Sequence, residues 1–140
     1  MKVSIITVSY QSAATLRQTI ESVLAQDYTN KEYWVIDGGS TDGSLEILKS
    51  FGSAIQFISE KDGGIYDAMN KGLKLIDGDV IGMIGADDFY PTNDVISSVV
   101  SAFESNQVDV VYGDKQYVNP ENPGKIVRYW TAGAYQENQW

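Results

Sequence analysis

The chain contains no cysteine and no histidine among its 140 residues. Their absence excludes thiolate nucleophiles, Ser-His-Asp triads, redox CxxC pairs and the usual zinc sites. Any catalysis must therefore use Asp, Glu, Lys, Tyr, Ser or Thr side chains. A chain without cysteine also suits a reducing compartment, so we expect a cytoplasmic protein.

Positive charge is scarce as well, with 10 Lys and Arg against 19 Asp and Glu and a net charge of -9. The basic residues are spread from Lys2 to Arg128 without forming a block. This distribution makes nucleic acid an improbable partner. No apolar run has the length of a membrane span, and the start of the chain lacks the features of a signal peptide.

Two common phosphate-binding loops are also absent. No G-x-G-x-x-G follows the first apolar run, and no G-x-x-x-x-G-K-[ST] occurs in the sequence. Both a Rossmann dehydrogenase and a P-loop NTPase are therefore disfavoured.

Short apolar runs alternate with segments of helical periodicity. Strands are predicted at 3–8, 33–36, 55–58, 80–84 and 109–112. Ser12 is the predicted cap of the first helix, over 13–25. A third helix is predicted to bury a face made of Ile65, Met69, Leu73 and Ile76. The alternation predicts an α/β fold with a mostly parallel sheet and helices on both faces. After residue 113 only weak strands are expected, near 116–118 and 126–129.

Polar clusters follow the predicted strands at 7–11, 37–42, 62–70 and 87–88. Ligands of parallel sheets bind at the carboxyl ends of the strands, so these four loops are expected to converge on one crevice. Each cluster also has a purely structural interpretation. Asp88 is able to cap a turn, Asp37 to form an Asx-turn, and Asp67 to lie on a solvated helix face.

An acidic protein repels a diphosphate ligand unless a divalent cation lies between them. The neighbouring carboxylates Asp87 and Asp88, at the end of a buried strand, are suited to hold such a cation. From the residues alone, the metal site and the turn cap both stay open.

Four blocks in order resemble the family 2 glycosyltransferases of the GT-A fold, a Rossmann-like architecture. They are SIITVSY (4–10), VIDGGSTDG (35–43), DGGIYDAMNKG (62–72) and GDVIGMIGADD (78–88). The last block looks like the D-x-D region of that family. The resemblance covers residues 3–118 and implies transfer of a sugar, with inversion, from a nucleotide diphosphate sugar, expected to be a UDP-sugar.

The resemblance also implies roles for individual residues. Those assigned to binding of the nucleotide sugar are Thr7, Ser9, Tyr10, Asp37, Asp62, Asp67 and Asp87. Asp88, with Asp87, is expected to ligate Mg²⁺ or Mn²⁺ between the two phosphates, where the metal acts as a Lewis acid. The implied acceptor is a saccharide or a lipid-linked hydroxyl in bacterial polysaccharide synthesis. The inner face of the membrane is a second possible location.

The sequence departs from the family at two points. Gly85 stands where relatives often have Asn or Asp, and no motif resembling the family's general base is present. Neither Asp114 nor Glu137 lies in such a motif, so the catalytic base is not assigned. We expect 1–118 to form the donor-binding domain and 119–140 to begin an incomplete acceptor region. A chain that lacks the base region is expected to be an inactive fragment.

Two other functions fit the same residues. A nucleotide-sugar-binding module without catalysis requires the same pocket but no base. A nucleotidyltransferase also uses carboxylates and a metal, although the sequence lacks its Gly-rich N-terminal loop. Apolar surface left exposed by an incomplete fold would favour self-association, so an oligomer is possible.

Overall fold

The apolar runs form a four-stranded parallel sheet in the computed structural model, which describes residues 1–134. The strands are β1 (Val3–Ser9), β2 (Lys31–Asp37), β3 (Gln56–Ser59) and β4 (Val80–Gly85), in the order β3-β2-β1-β4. The helices are α1 (Leu16–Leu24), α2 (Ser44–Ser50), α3 (Ile65–Leu73) and α4 (Val95–Ser105), with a 3₁₀ turn at Gly52–Ala54. This sheet belongs to the first of two compact units, Met1–Val100.

Helices cover both faces of this sheet, as the sequence predicts. Side chains alternate across a strand, so Ile5 and Ile6 of β1 point to opposite faces. Ile5 lies in the larger core with side chains from α1, α2 and α4, including Ile20 and Leu48. Ile6 lies in a smaller core with Ala68 of α3. Burial on both faces explains why apolar residues occupy consecutive positions of β1, such as Ile5 and Ile6, instead of alternate ones.

The buried face of α3 agrees only in part with the predicted one: Ile76, just beyond the helix, packs against the smaller core. Ile65 is 55% exposed and Leu73 is also exposed, whereas Ala68 and Gly72 are buried against the sheet. A Cβ on Gly72 would lie 2.8 Å from Cγ2 of Ile6, so the helix backbone is too close to β1 for a larger residue. Helical periodicity identified the large apolar residues, but the close helix-to-sheet contact requires small ones.

We expect Gly72→Ala to lower the free energy of unfolding by about 1–2 kcal/mol. The overlap with Ile6 costs about 1–3 kcal/mol, and the higher helix propensity of alanine offsets about 1 kcal/mol of that. Urea denaturation measures the difference. Gly82→Ala in β4 is the control, because its Cβ would meet nothing closer than 3.9 Å. Equal stability of both variants would contradict the close packing of α3.

The start of α1 also differs from the prediction, because Ser12 does not cap the helix. The hydroxyl of Ser12 donates to the Tyr10 carbonyl, and its backbone N–H donates to Ser44. Its own carbonyl accepts from the N–H of Thr15 and of Leu16, which forms a turn before the helix. The helix therefore begins three residues later than a Ser12 cap implies.

The second unit begins at Ser101 and contains an antiparallel hairpin, β5 (Lys115–Asn119) and β6 (Asn122–Trp130). The two weak strands predicted in this region are confirmed. Residues 109–112 are not a strand, and Val110 is largely exposed. A strand needs a hydrogen-bonded partner, which a local apolar pattern does not guarantee. The predicted domain boundary at residue 118 falls within β5.

The edge strand β4 leaves part of one sheet face uncovered. Ile81 is 49% exposed and Met83 is 46% exposed, because α3 packs over β1 and β2 instead. Self-association through this surface stays a prediction. Within residues 1–134, the helices all lack the combination of length and hydropathy that crossing a bilayer requires.

Candidate functional site

Parallel strands bring the predicted polar loops to one edge of the sheet, where two cavities open. The first has a volume of about 430 Å³ and is lined by Val8, Ser9, Tyr10, Gly38, Lys61, Asp62, Gly64, Ile65 and Ala68. The second has a volume of about 300 Å³ and is lined by Ile6, Val8, Ile65, Met69, Met83, Ile84, Gly85, Asp87 and Asp88. Val8 and Ile65 line both cavities, so the cavities are neighbours.

Three of the predicted binding residues line the first cavity: Ser9, Tyr10 and Asp62. Ser9 is 5% exposed, and its hydroxyl has no hydrogen-bond partner in the part of the chain that the structure describes. A buried hydroxyl without a partner is costly, so a ligand that bonds to it would be stabilised. Tyr10 is 66% exposed and presents its ring to solvent.

The carboxylate of Asp62 is held against Gly38. One of its oxygens, Oδ1, accepts a hydrogen bond of 2.9 Å from the N–H of Gly64. The other, Oδ2, lies 2.9 Å from the position that a Cβ on Gly38 would occupy. The missing side chain at Gly38 therefore leaves the space that Asp62 fills.

Thr7 lies outside the linings of both cavities and is fully buried. Its hydroxyl forms a hydrogen bond of 2.8 Å with the hydroxyl of Tyr33. Burial strongly raises the pKa of Tyr33, so this phenol stays protonated. Thr7 thus supports the sheet beneath the loops, whereas the family resemblance placed it in the nucleotide pocket.

Asp37 is also fully buried and outside both linings. Its Oδ2 accepts from the N–H of Gly39 at 3.2 Å, the N–H of Ser40 at 2.9 Å and the hydroxyl of Ser59 at 2.7 Å. Its Oδ1 accepts from the hydroxyl of Ser40 at 2.5 Å. These four bonds fold the loop after β2 around the carboxylate and tie it to β3.

Asp67, the remaining residue assigned to nucleotide binding, lies near the first cavity but does not line it. Its carboxylate accepts from the N–H of Gly63 at 3.0 Å and lies 3.6 Å from the ammonium of Lys71. The Gly63 N–H, followed by the charge of Lys71, lowers the pKa of Asp67. Asp67 therefore anchors the loop that carries Asp62.

Asp87 and Asp88 line the second cavity and are exposed. Asp87 Oδ1 lies 2.9 Å and Asp88 Oδ2 lies 3.4 Å from the point where a Cβ on Gly85 would stand. The two carboxylates thus converge over a glycine. The departure from the family at Gly85 leaves room for these oxygens, because a side chain at position 85 would contact both carboxylates.

Helix α1 fixes the backbone that carries this carboxylate pair. The hydroxyl of Thr19 donates to the carbonyl of Asp88 at 2.6 Å and also lies 3.0 Å from the carbonyl oxygen of Ala86. The hydroxyl of Thr15 donates to the Ala86 carbonyl at 2.8 Å. The pair is therefore held by the helix as well as by its own strand. Within residues 1–134, no group of three or more carboxylates is arranged as a complete metal site.

The sequence analysis assigned no role to two other residues at this edge. Lys61 lines the first cavity beside Asp62, and its position directly before the polar cluster at 62–70 was the available signal. Asp42 joins two loops, because it accepts from the N–H of Ala13 at 2.9 Å and from the hydroxyl of Ser44 at 2.7 Å. The Ser44 hydroxyl, followed by the Ala13 N–H, lowers the pKa of Asp42.

The loops before α1 and α2 are joined a second time through Gln11. Its side-chain carbonyl accepts from the N–H of Thr41, and its backbone N–H donates to Ser40. Gln11 has a φ of 52°, a conformation uncommon for residues other than glycine. These bonds hold that conformation directly after Tyr10.

Solved structures share this architecture. The chain aligns with Staphylococcus aureus TarS 1-349 in complex with UDP-GlcNAc at a TM-score of 0.70 and 23% identity, over 78% of this chain and 33% of that one. It aligns with the mannosyltransferase PcManGT from Pyrobaculum calidifontis, in complex with GDP-Man and Mn²⁺, at a TM-score of 0.68 and 22% identity. That alignment covers 86% of this chain and 36% of the other. At these identities the likeness establishes the GT-A fold.

Sequence comparison extends the likeness beyond the fold. An uncharacterised glycosyltransferase of Mycobacterium tuberculosis (strain CDC 1551 / Oshkosh) is 38% identical over 102 residues. The match covers 71% of this chain and 39% of that relative, so the chain spans about two fifths of the relative's length. The sequence profile described as glycosyl transferase family 2 matches residues 4–139. The chain therefore belongs to glycosyl transferase family 2.

Proposed function

We propose that this chain binds a nucleotide diphosphate sugar, with a UDP-sugar expected, for metal-assisted transfer to an acceptor hydroxyl with inversion. The observation that carries the proposal is the pair of neighbouring cavities at the carboxyl edge of the sheet. One contains a buried hydroxyl that has no hydrogen-bond partner among residues 1–134, together with a carboxylate, and the other contains two convergent carboxylates. A nucleoside and a metal-bound diphosphate require these two environments side by side.

The first cavity is the proposed nucleoside site. Its volume of about 430 Å³ lies within the usual range for small-molecule sites, about 300–1,000 Å³. Ser9 is able to donate or accept a hydrogen bond, and Asp62 accepts one. The exposed ring of Tyr10 offers a face on which a base stacks. TarS was solved with UDP-GlcNAc, which supports a uracil nucleotide as the ligand to test.

The second cavity is the proposed site for the diphosphate and its cation. Asp88 and Asp87 would hold Mg²⁺ or Mn²⁺, because both ions prefer oxygen ligands and an oxygen of each carboxylate lies within 3.4 Å of the same point over Gly85. When bound, the cation neutralises the phosphates and stabilises the departing nucleotide diphosphate. The structure of PcManGT with GDP-Man and Mn²⁺ supports a divalent cation in this fold. With a net charge of -9, the protein itself offers little compensation for a diphosphate.

Inverting transfer also requires a base that takes the proton of the acceptor hydroxyl. Asp114 accepts a hydrogen bond of 3.0 Å from the N–H of Ala132, which gives it a structural role in the second unit. Glu137 lies outside the described residues. We assign the base to neither, and we propose a saccharide or lipid-linked hydroxyl as the acceptor class. This chain alone is expected to bind donor without transferring sugar.

Calorimetric titration with UDP, in the presence and absence of Mn²⁺, tests the donor site. We expect saturable binding that is stronger with Mn²⁺. GDP is titrated in parallel, since solved structures of this fold contain either nucleotide. Tighter binding of GDP than of UDP would change the proposed nucleobase from uracil to guanine. A lack of binding by both nucleotides would overturn the donor site.

A further inference from the structure

The space above Gly38 determines where the carboxylate of Asp62 lies. A Cβ at Gly38 would stand 2.9 Å from Oδ2, 3.3 Å from Cγ and 3.3 Å from Oδ1 of Asp62. No real Cβ tolerates the shortest of these distances, so any other residue at position 38 must displace the carboxylate. Gly38 does not have a positive φ, so its backbone conformation does not by itself require glycine.

Asp62 has one oxygen engaged and one available. Oδ1 accepts from the N–H of Gly64, which fixes the side chain across the loop that precedes α3. Oδ2 receives no hydrogen bond from the described residues of the protein and lies beside Gly38 in the lining of the first cavity. Asp37, by contrast, has both oxygens bonded to its own loop and is buried. Of these two carboxylates, only Asp62 is free to accept a hydrogen bond from a ligand.

We propose that Gly38 is a positioning residue for nucleotide binding that acts through Asp62. It leaves space for the Asp62 carboxylate to reach the cavity wall, where Oδ2 accepts a hydrogen bond from an N–H or O–H of the nucleoside. This inference rests on the proposed nucleoside site in the first cavity. It adds that the residue at position 38, which itself offers no polar side chain, controls nucleotide affinity.

The test is a double-mutant cycle for UDP binding in the presence of Mn²⁺, with Gly38→Ala, Asp62→Ala and the double variant. We expect each single substitution to weaken binding roughly 10- to 100-fold, as for loss of one hydrogen bond to a charged group. The double variant should bind like Asp62→Ala, because the methyl group added at position 38 then has no carboxylate to displace. Gly82→Ala, whose Cβ meets nothing closer than 3.9 Å, should bind like the parent chain.

Stability separates this role from a structural one. The atoms displaced in Gly38→Ala are the end of a flexible side chain, so urea denaturation should give nearly the parental free energy of unfolding. If Gly38→Ala does not fold, Asp62→Ala alone tests the nucleoside contact, because it removes both oxygens that accept hydrogen bonds. Parental binding by Asp62→Ala or by folded Gly38→Ala, or losses that multiply in the double variant, would overturn the inference. A parent chain that binds no UDP overturns the proposed function instead.

Discussion

Asp88→Ala is expected to abolish the increase in UDP affinity that Mn²⁺ produces, with a loss of about a hundredfold. Asp88 and Asp87 are the two carboxylates that converge over Gly85. Within residues 1–134, no third Asp or Glu joins them in a group that could hold a metal ion. Removing one charged partner from such a pair costs about 3 kcal/mol, which corresponds to about a hundredfold in affinity. Calorimetry with and without Mn²⁺ measures the effect.

The comparison needs a control for net charge, because removing any acid makes this acidic chain less repulsive to a nucleotide. Asp27→Ala changes net charge equally at an exposed position that lines neither cavity. It should retain the full effect of Mn²⁺. An unchanged metal dependence in Asp88→Ala would place the cation elsewhere and leave Asp88 as a turn residue, the alternative that the sequence left open.

The sheet was predictable because its strands are short apolar runs between polar loops, and β1 is buried on both faces. The helix faces were less predictable, as α3 illustrates. Its large residues follow helical spacing, yet the helix rests on Ala68 and Gly72 because its backbone approaches Ile6. Distance between elements is a property of the assembled fold, and periodicity carries no information about it.

The candidate site was predictable to a similar degree. Strand ends located the loops, and Ser9, Tyr10, Asp62, Asp87 and Asp88 do line the two cavities. The pattern of strands and polar loops did not predict the direction in which each loop folds. The loop after β2 closes around its own carboxylate, so a residue at a strand end became buried although its position suggested exposure.

That buried carboxylate gives the other large expected effect. Asp37→Ala should lower the free energy of unfolding by about 3 kcal/mol, measured by urea denaturation. The substitution leaves the N–H groups of Gly39 and Ser40 and the hydroxyls of Ser40 and Ser59 without their acceptor. Each unsatisfied buried donor costs about 1–3 kcal/mol, and relaxation of the loop toward water reduces the total.

Ser59→Ala removes one donor from the same cluster and should cost only about 1 kcal/mol, since Asp37 keeps its other three bonds. UDP binding distinguishes this structural role from the nucleotide contact that the family resemblance implies for Asp37. If the role is structural, affinity falls together with the fraction of folded protein and recovers under conditions that restore folding. A variant that keeps parental stability but loses UDP binding would instead make Asp37 a direct ligand of the nucleotide, with the loop opening to expose it.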